Sequence, residues 1–354
     1  MKQKPALYLH GGDIYRNKIK IDFSVNVNPL GPQKEVTEAV RSAAEDISHY
    51  PDICCEKLMR AISRFEQVPE ETLLCANGAA ELFFAVVLAG RPRKALLFSP
   101  SFSEYERALR MIDADIRYYE LEREEEFQIP GDLADAVTPD LDMVFLCNPN
   151  NPTGQVTSKE LLKNIAGKCK ECGVTLVIDE CFIDFLDSPE EYEMKGELWQ
   201  YPNVLLVKAF TKLFCMPGLR LGYAISGDKE LLRRMRMAMQ PWNVSVPAQA
   251  GGVAALENCG SYIEKTKQIV KTERAYLKEA LRGLGYKIYG SKANYIFFEA
   301  KEEKEEPSLY DKARAAGFLI RDCSDYRGLS KGYYRIAVRT RQENERFIAW
   351  LRKL

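Results

Sequence analysis

The chain has 354 residues, of which 46% are hydrophobic and 29% are charged, and its formal net charge is −1. This composition is that of an ordinary soluble globular protein, and the charge argues against nucleic acid or an anionic membrane as the partner. No stretch approaches the roughly 20 apolar residues of a membrane span, and the start has too short an apolar run for a signal peptide. The ten cysteines are scattered, so we expect a cytoplasmic protein with free thiols and without a metal site.

The first 35 residues are rich in Gly, Asn and Pro and are expected to form an extended arm. After the arm, short apolar runs alternate with amphipathic stretches. The runs predict strands at 95–99, 143–147, 174–178 and 204–208, and the stretches predict helices at 81–90, 103–112 and 158–172. This alternation predicts an α/β fold with a mainly parallel central sheet and helices on both faces.

The C-terminal part of the chain has a different pattern. It predicts a long helix at 262–283, a strand at 295–299, a helix near 308–316 and strands at 318–321 and 333–338. We therefore expect a smaller α+β domain here. The predicted division is an arm at 1–35, a large domain at 36–255 and a small domain at 256–354.

The stretch 208–223, Lys-Ala-Phe-Thr-Lys-Leu-Phe-Cys-Met-Pro-Gly-Leu-Arg-Leu-Gly-Tyr, contains a candidate nucleophile. Lys212 follows a hydroxyl, Thr211, and precedes a cation, Arg220. A lysine that forms a Schiff base with pyridoxal phosphate needs such neighbours, because a hydroxyl and a fixed cation hold the cofactor's phosphate. The alternative is a basic surface loop with several glycines.

Two further motifs lie where predicted strands end, which is where open α/β sheets bind ligands. The turn Asn148–Gly154 gives Asn151 a fixed place beneath a ligand, although a purely structural turn has the same residues. Asp179 ends an apolar strand, where a carboxylate is costly unless it is paired. A protonated pyridinium nitrogen is one such partner, and a helix N-cap is the alternative role.

These three motifs, in this order, resemble the fold-type I pyridoxal-phosphate enzymes of the class I/II aminotransferase family. The resemblance covers almost the whole chain. It extends over the segments 10–13, 22–31, 50–52, 77–78, 102–105, 179–182, 241–244, 293–295, 319–321 and 333–335. The resemblance implies the fold-type I architecture, pyridoxal 5'-phosphate as cofactor and a homodimer with composite sites.

The resemblance also implies roles for residues around the cofactor ring. Lys212 would carry the cofactor, Asp179 would pair with the pyridine nitrogen, and Asn151 would bond the ring oxygen. Phe102 would stack on the ring face, unless it is an ordinary core phenylalanine. Phe182 stands where aminotransferases of the family usually have a tyrosine, which should weaken transamination.

The cofactor's phosphate would be held by another set of residues. The resemblance implies the main-chain amides of Ala79 and Ala80 at a helix start, assisted by Thr211 and Arg220. Tyr50 would reach the phosphate of the neighbouring subunit. At position 209, where the family usually has a hydroxyl, this chain has alanine; losing one neutral hydrogen bond costs roughly 1 kcal/mol, so cofactor binding should persist.

Anchoring of the substrate decides which bond is broken. Arg335 occupies the family's carboxylate-binding position. The other residues expected to line the substrate pocket are His10, Asn28, Gly31, Arg321 and Arg339. A surface position is the alternative for Arg339, and a capping or structural role is the alternative for His10.

The resemblance implies, as the expected activity, decarboxylation of L-threonine O-3-phosphate to (R)-1-aminopropan-2-yl phosphate and carbon dioxide, a step of cobalamin biosynthesis. Transamination of histidinol phosphate or of a broader set of amino acids is the alternative. A third class is a regulator that binds the cofactor without turnover. The lack of a basic helix-turn-helix before the fold argues against this class.

Overall fold

The computed structural model describes residues 10–16, 18–257, 259–301 and 307–354. Within them the strands, in chain order, are β1 (Ile21–Asp22), β2 (Leu73–Ala76), β3 (Lys94–Ser99), β4 (Asp115–Glu120), β5 (Met143–Cys147), β6 (Thr175–Asp179), β7 (Val204–Ala209), β8 (Gly222–Ser226), β9 (Lys287–Tyr289), β10 (Tyr295–Glu299), β11 (Phe318–Leu319), β12 (Arg321–Asp322) and β13 (Tyr333–Ala337). The α-helices are α1 (Lys34–Ala43), α2 (Glu56–Glu66), α3 (Ala79–Gly90), α4 (Glu104–Arg110), α5 (Lys159–Cys172), α6 (Phe210–Leu213), α7 (Lys229–Ala238), α8 (Val246–Leu256), α9 (Gly260–Gly283), α10 (Leu309–Ala316) and α11 (Arg341–Leu351).

The central sheet has seven strands in the order β2-β8-β7-β6-β5-β3-β4. β8 runs antiparallel to its neighbours β2 and β7, and the remaining pairs are parallel. The predicted mainly parallel sheet is therefore confirmed, and the four strands expected from apolar runs are present as β3, β5, β6 and β7. The carboxyl ends of β2, β3, β5, β6 and β7 meet at one edge, together with the start of β8.

Both faces of the central sheet are covered by apolar cores, because successive side chains of a strand point to opposite faces. In β3, for example, Leu96 and Phe98 belong to one core, whereas Ala95 and Leu97 belong to the other. This burial on both faces explains why the central strands are continuous apolar runs rather than alternating ones.

A second, antiparallel sheet in the order β12-β13-β10-β9 lies in the C-terminal part of the chain. It shares a third apolar core with α9, α11 and the arm residues Ile21 and Phe23. The single strand expected at 318–321 is wrong in one respect. The segment forms two strands, since Phe318–Leu319 pairs with β1 of the arm while Arg321–Asp322 pairs with β13.

The division of the chain at residues 35 and 255 stays a prediction, and residues 1–9 and 17 of the arm lie outside the described residues. Side-chain caps fix several helix starts: the hydroxyls of Ser158, Ser245 and Ser308 accept main-chain N–H groups in the first turns of α5, α8 and α10. None of the helices in the described residues is long and apolar enough to cross a membrane.

Candidate active site

Lys212 lies on the four-residue helix α6, directly after β7. Its ammonium nitrogen Nζ is 5.2 Å from the centre of the Phe182 ring. Burial lowers the pKa of Lys212 to about 8, and the positive charges of Arg335 and Arg220 act in the same direction. A lysine in this position keeps an appreciable neutral, nucleophilic fraction near neutral pH.

Lys208, four residues earlier, is the contrasting case. Its Nζ lies 2.8 Å from a carboxylate oxygen of Glu66 and 3.5 Å from one of Asp184. Burial alone would lower the pKa of Lys208, but these carboxylates outweigh it and hold the pKa above its ordinary value. Lys208 is therefore a charged structural lysine, and Lys212 is the one suited to attack a carbonyl.

Asp179 ends β6 and is buried. The main-chain N–H of Cys181 donates to its Oδ1 at 3.0 Å, and the hydroxyl of Tyr105 donates to its Oδ2 at 2.6 Å. Burial raises the pKa of Asp179, although both donors oppose this effect. In the described residues no α-helix begins directly after Asp179, so Asp179 is not a helix N-cap. Its bond from Cys181 only stabilises a local turn.

Asn151 and Arg335 form a second buried group. Both Arg335 and the hydroxyl of Tyr326 donate to the Oδ1 of Asn151, the latter at 3.3 Å. Arg335 also donates to the main-chain oxygen of Ser24 at 2.9 Å, and its buried Nε has no hydrogen-bond partner. Within the described part of the chain, no carboxylate forms an ion pair with Arg335. This guanidinium is available to an external anion.

The start of α3 forms a corner suited to a phosphate. Gly78 precedes the helix with a φ of 81°, a conformation that favours glycine. A Cβ at Gly78 would lie 2.8 Å from Nη2 of Arg220, and a Cβ at Gly222 would lie 2.7 Å from the main-chain nitrogen of Ala79. Arg220 and β8 therefore approach the free N–H groups of Ala79 and Ala80 closely. A helix N-terminus beside an arginine attracts a phosphate through both its dipole and its donors.

Phe102 and His10 contact each other near the start of α4. Phe102 is half-buried, with its ring centre 6.0 Å from that of His10 and 5.7 Å from that of Tyr105. Nε2 of His10 lies 2.9 Å from Oε1 of Glu104. This hydrogen bond is the main reason why the pKa of Glu104 is lowered. Thr211 is buried next to Lys212 on α6.

Several expected pocket residues have other partners. The amide nitrogen of Asn28 donates to Leu213 and Thr266, and the main-chain oxygen of Gly31 accepts from Tyr262, so both tie the arm to α6 and α9. The role of Asn28 and Gly31 toward a substrate stays a prediction.

The remaining expected residues are also engaged. Arg321 pairs with Asp325, and Arg339 pairs with Glu343 at 3.1 Å. Tyr50 is 77% exposed and stacks on Trp242, with ring centres 4.5 Å apart. The structure thus gathers Lys212, Asp179, Asn151, Arg335 and the α3 corner at one edge, and leaves Tyr50 on the surface.

Sequence reasoning missed two donors to this site, Tyr105 and Tyr326. Tyr105 lies 74 positions before Asp179, and Tyr326 lies 175 positions after Asn151. No local pattern signals such pairings. Among the described residues, no group of three or more His, Cys, Asp or Glu side chains is placed to hold a metal ion.

Comparison with known proteins gives consistent relatives. The profile of the family described as aminotransferase class I and II matches residues 18–351. The chain is 37% identical to the threonine-phosphate decarboxylase of Salmonella typhimurium, over 94% of this chain and 91% of that protein. It is 36% identical to a putative threonine-phosphate decarboxylase of Caldanaerobacter subterraneus subsp. tengcongensis, over 100% of this chain and 95% of that protein. The crystal structure of the histidinol-phosphate aminotransferase from Clostridium acetobutylicum superposes with a TM-score of 0.87 at 28% identity, over 94% of this chain and 98% of that chain.

Proposed function

The chain belongs to the aminotransferase class I and II family, and from this membership we propose that it is a pyridoxal 5'-phosphate-dependent decarboxylase of L-threonine O-3-phosphate. The products are (R)-1-aminopropan-2-yl phosphate and carbon dioxide, which places the reaction in cobalamin biosynthesis. The observation that carries this choice is the 37% identity to a threonine-phosphate decarboxylase over 94% of the chain.

The residues present fit the cofactor. Asp179 is a buried carboxylate with a raised pKa and with two donors already on its oxygens. A protonated ring nitrogen would supply the positive partner that this carboxylate lacks. The corner at the start of α3, with the N–H groups of Ala79 and Ala80 beside Arg220, offers donors and positive charge to the cofactor's phosphate. Thr211 is proposed to add its hydroxyl. Asn151 and Phe102 are proposed to hold the ring oxygen and the ring face.

When bound, pyridoxal phosphate withdraws electrons from the bonds at the substrate's α-carbon. Lys212 is proposed to hold the cofactor covalently through Nζ, and its pKa of about 8 leaves that amine able to take up and return a proton near neutral pH. Phe182 lies beside Nζ and brings no hydroxyl to it. A tyrosine in that place would supply another donor.

The positive groups of the C-terminal sheet are proposed to anchor the substrate. Arg335, which has no carboxylate partner among the described residues, takes the carboxylate end. His10, Arg321 and Arg339 supply further positive or hydrogen-bonding groups for the phosphate end. Holding both ends sets which bond at the α-carbon is broken.

We further infer a cytoplasmic homodimer. The exposed aromatic pair of Tyr50 and Trp242 is a surface feature that a second subunit would cover, and Tyr50 is proposed to reach the partner's cofactor phosphate. All ten cysteines are free, which suits a reducing compartment. In the proposed arrangement residues 36–255 form the large domain that holds the cofactor, and residues 256–354 form the small domain that supplies the substrate arginines. Residues 1–35 are proposed to be an arm that packs with the small domain or the partner subunit.

One incubation tests the function. Purified holoenzyme with L-threonine O-3-phosphate should release carbon dioxide without 2-oxoglutarate, and Lys212→Ala should release none. The second candidate is histidinol-phosphate aminotransferase, which the 0.87 TM-score to that enzyme favours. Consumption of histidinol phosphate that depends on 2-oxoglutarate, with no carbon dioxide from threonine phosphate, would replace the first assignment by the second.

A further inference from the structure

Two arginines of the C-terminal sheet lie side by side. In the register of β12 and β13, Arg321 is directly opposite Arg335. Directly opposed residues of antiparallel strands point to the same face, with Cβ atoms about 4.5–5.5 Å apart. Both guanidinium groups are therefore presented toward the same side of this sheet, where Arg335 contacts Asn151.

The two arginines differ in their counter-ions. Nη2 of Arg321 donates to both carboxylate oxygens of Asp325, at 2.9 and 2.8 Å, and its Nη1 donates to the main-chain oxygen of Asp322 at 2.6 Å. The side chains of Arg321 and Asp325 are only 14% and 24% exposed. In the described residues Arg335 has no such carboxylate. Thus, as far as the described residues go, only one of the two neighbouring cations is neutralised by a carboxylate.

The neutralised arginine lies next to the candidate active site. Its guanidinium lies 5.1 Å from the ring centre of Tyr326, whose hydroxyl donates to Asn151. Arg321, Asp325 and Tyr326 line a cavity of about 430 Å³ together with Phe102. This volume accommodates a phosphate group with its first waters, so an external anion can approach Arg321 from this side.

We propose that Asp325 is an internal anion that occupies Arg321 in the substrate-free enzyme and is displaced by the substrate's phosphate, and that it thereby sets the affinity of the phosphate subsite. This inference rests on the proposed function, because it takes a phosphorylated amino acid as the substrate. Asp325 is tethered four residues from Arg321, so it competes at a high effective concentration. A phosphate monoester carries about −1.5 to −2 charge and three acceptor oxygens, against one charge and two oxygens of a carboxylate, so it can displace Asp325.

The exchange affects only one end of the substrate. The carboxylate binds Arg335, where no internal anion has to leave. Removing the charge of Asp325 should therefore tighten the binding of ligands that carry phosphate and leave a ligand without phosphate unchanged.

The test compares the holoenzyme with Asp325→Asn and with Asp322→Asn, a matched control. Asp322 is the last residue of β12, three residues before Asp325, and its side chain accepts from the main-chain N–H of Ser324 and not from Arg321. Calorimetry gives the dissociation constants of inorganic phosphate and of L-threonine for each protein. Asp325→Asn should bind phosphate about tenfold more tightly, a factor that equals about 1.4 kcal/mol, with L-threonine affinity within about twofold. Asp322→Asn should change neither.

Weaker or unchanged phosphate binding in Asp325→Asn would overturn the proposal, because Asp325 would then orient Arg321 or have no influence on it. Equal tightening of L-threonine binding would also overturn it, since the effect would not be confined to the phosphate end. The proposed function is judged separately by carbon dioxide release from threonine phosphate. An inactive wild-type enzyme would refute that function, while the phosphate constants would still decide the role of Asp325.

Discussion

The hydrogen bond from Tyr105 to Asp179 offers a sharp test of how the site holds its cofactor. The hydroxyl lies 2.6 Å from Oδ2 of a buried carboxylate, and it lowers the pKa of that carboxylate against the larger effect of burial. Replacing Tyr105 by Phe removes this donor and keeps the buried aromatic ring. Asp179 then becomes a poorer anion, and its proposed pairing with a protonated ring nitrogen should weaken.

The magnitude follows from the kind of bond that is lost. A hydrogen bond to a charged group contributes about 1.5–3 kcal/mol. Since about 1.4 kcal/mol corresponds to a factor of ten, the dissociation constant of pyridoxal phosphate should rise about ten- to hundredfold in Tyr105→Phe. Equilibrium dialysis of the apoprotein against pyridoxal phosphate measures this constant directly.

Tyr223→Phe is the matched control. The hydroxyl of Tyr223, on β8 of the central sheet, also donates to a buried carboxylate, that of Glu66 at the end of α2. Its loss should lower the free energy of unfolding and leave cofactor affinity unchanged. If Tyr105→Phe binds pyridoxal phosphate as tightly as the wild type, or if both variants lose the same affinity, the reasoning about Asp179 is refuted.

Three further predictions concern the same edge of the sheet. The rate at which the apoprotein captures pyridoxal phosphate should rise with pH through about 8, the pKa to which burial lowers Lys212, and a midpoint near 10.5 would contradict this. Gly222→Ala should weaken cofactor binding at least tenfold, because the added Cβ would lie 2.7 Å from the main-chain nitrogen of Ala79. Gly218→Ala is the control and should bind the cofactor normally, because its added Cβ would have no atom within 4 Å. Near pH 8, urea unfolding should show Glu180→Gln to be more stable than the wild type by a few kcal/mol, the free energy that corresponds to the pKa shift of Glu180. Burial raises the pKa of Glu180 from 4.5 to about 8, so ionisation of Glu180 lowers the free energy of unfolding of the wild type as pH rises from 4.5 to 8. If Glu180→Gln unfolds with the same pH dependence as the wild type, Glu180 does not have this raised pKa.

The parts of the fold that could be predicted from the sequence are those specified locally. The central strands are apolar runs because they are buried on both faces, so their positions follow directly from hydropathy. The antiparallel insertion of β8 between β2 and β7 could not be predicted, because it depends on pairings between distant segments. The short pairing of β1 with β11 has the same origin.

The residues of the candidate site also fall into those that the sequence predicts and those that depend on tertiary packing. Lys212, Asp179 and Asn151 stand directly after strands, so their meeting at one sheet edge follows from topology. Asp325 lies only four residues from Arg321, yet its pairing depends on the loop conformation, which the sequence pattern does not specify. The pairing of Tyr105 with Asp179 depends on how α4 packs against the sheet.

The most direct test of the central claim is to locate the cofactor's covalent bond. Borohydride reduction of the holoenzyme, followed by peptide mass spectrometry, should find the pyridoxyl group on Lys212. The nearby Lys208 is buried and is held charged by Glu66 and Asp184, so it should carry none. Pyridoxyl on Lys208, or on neither lysine, would contradict the account.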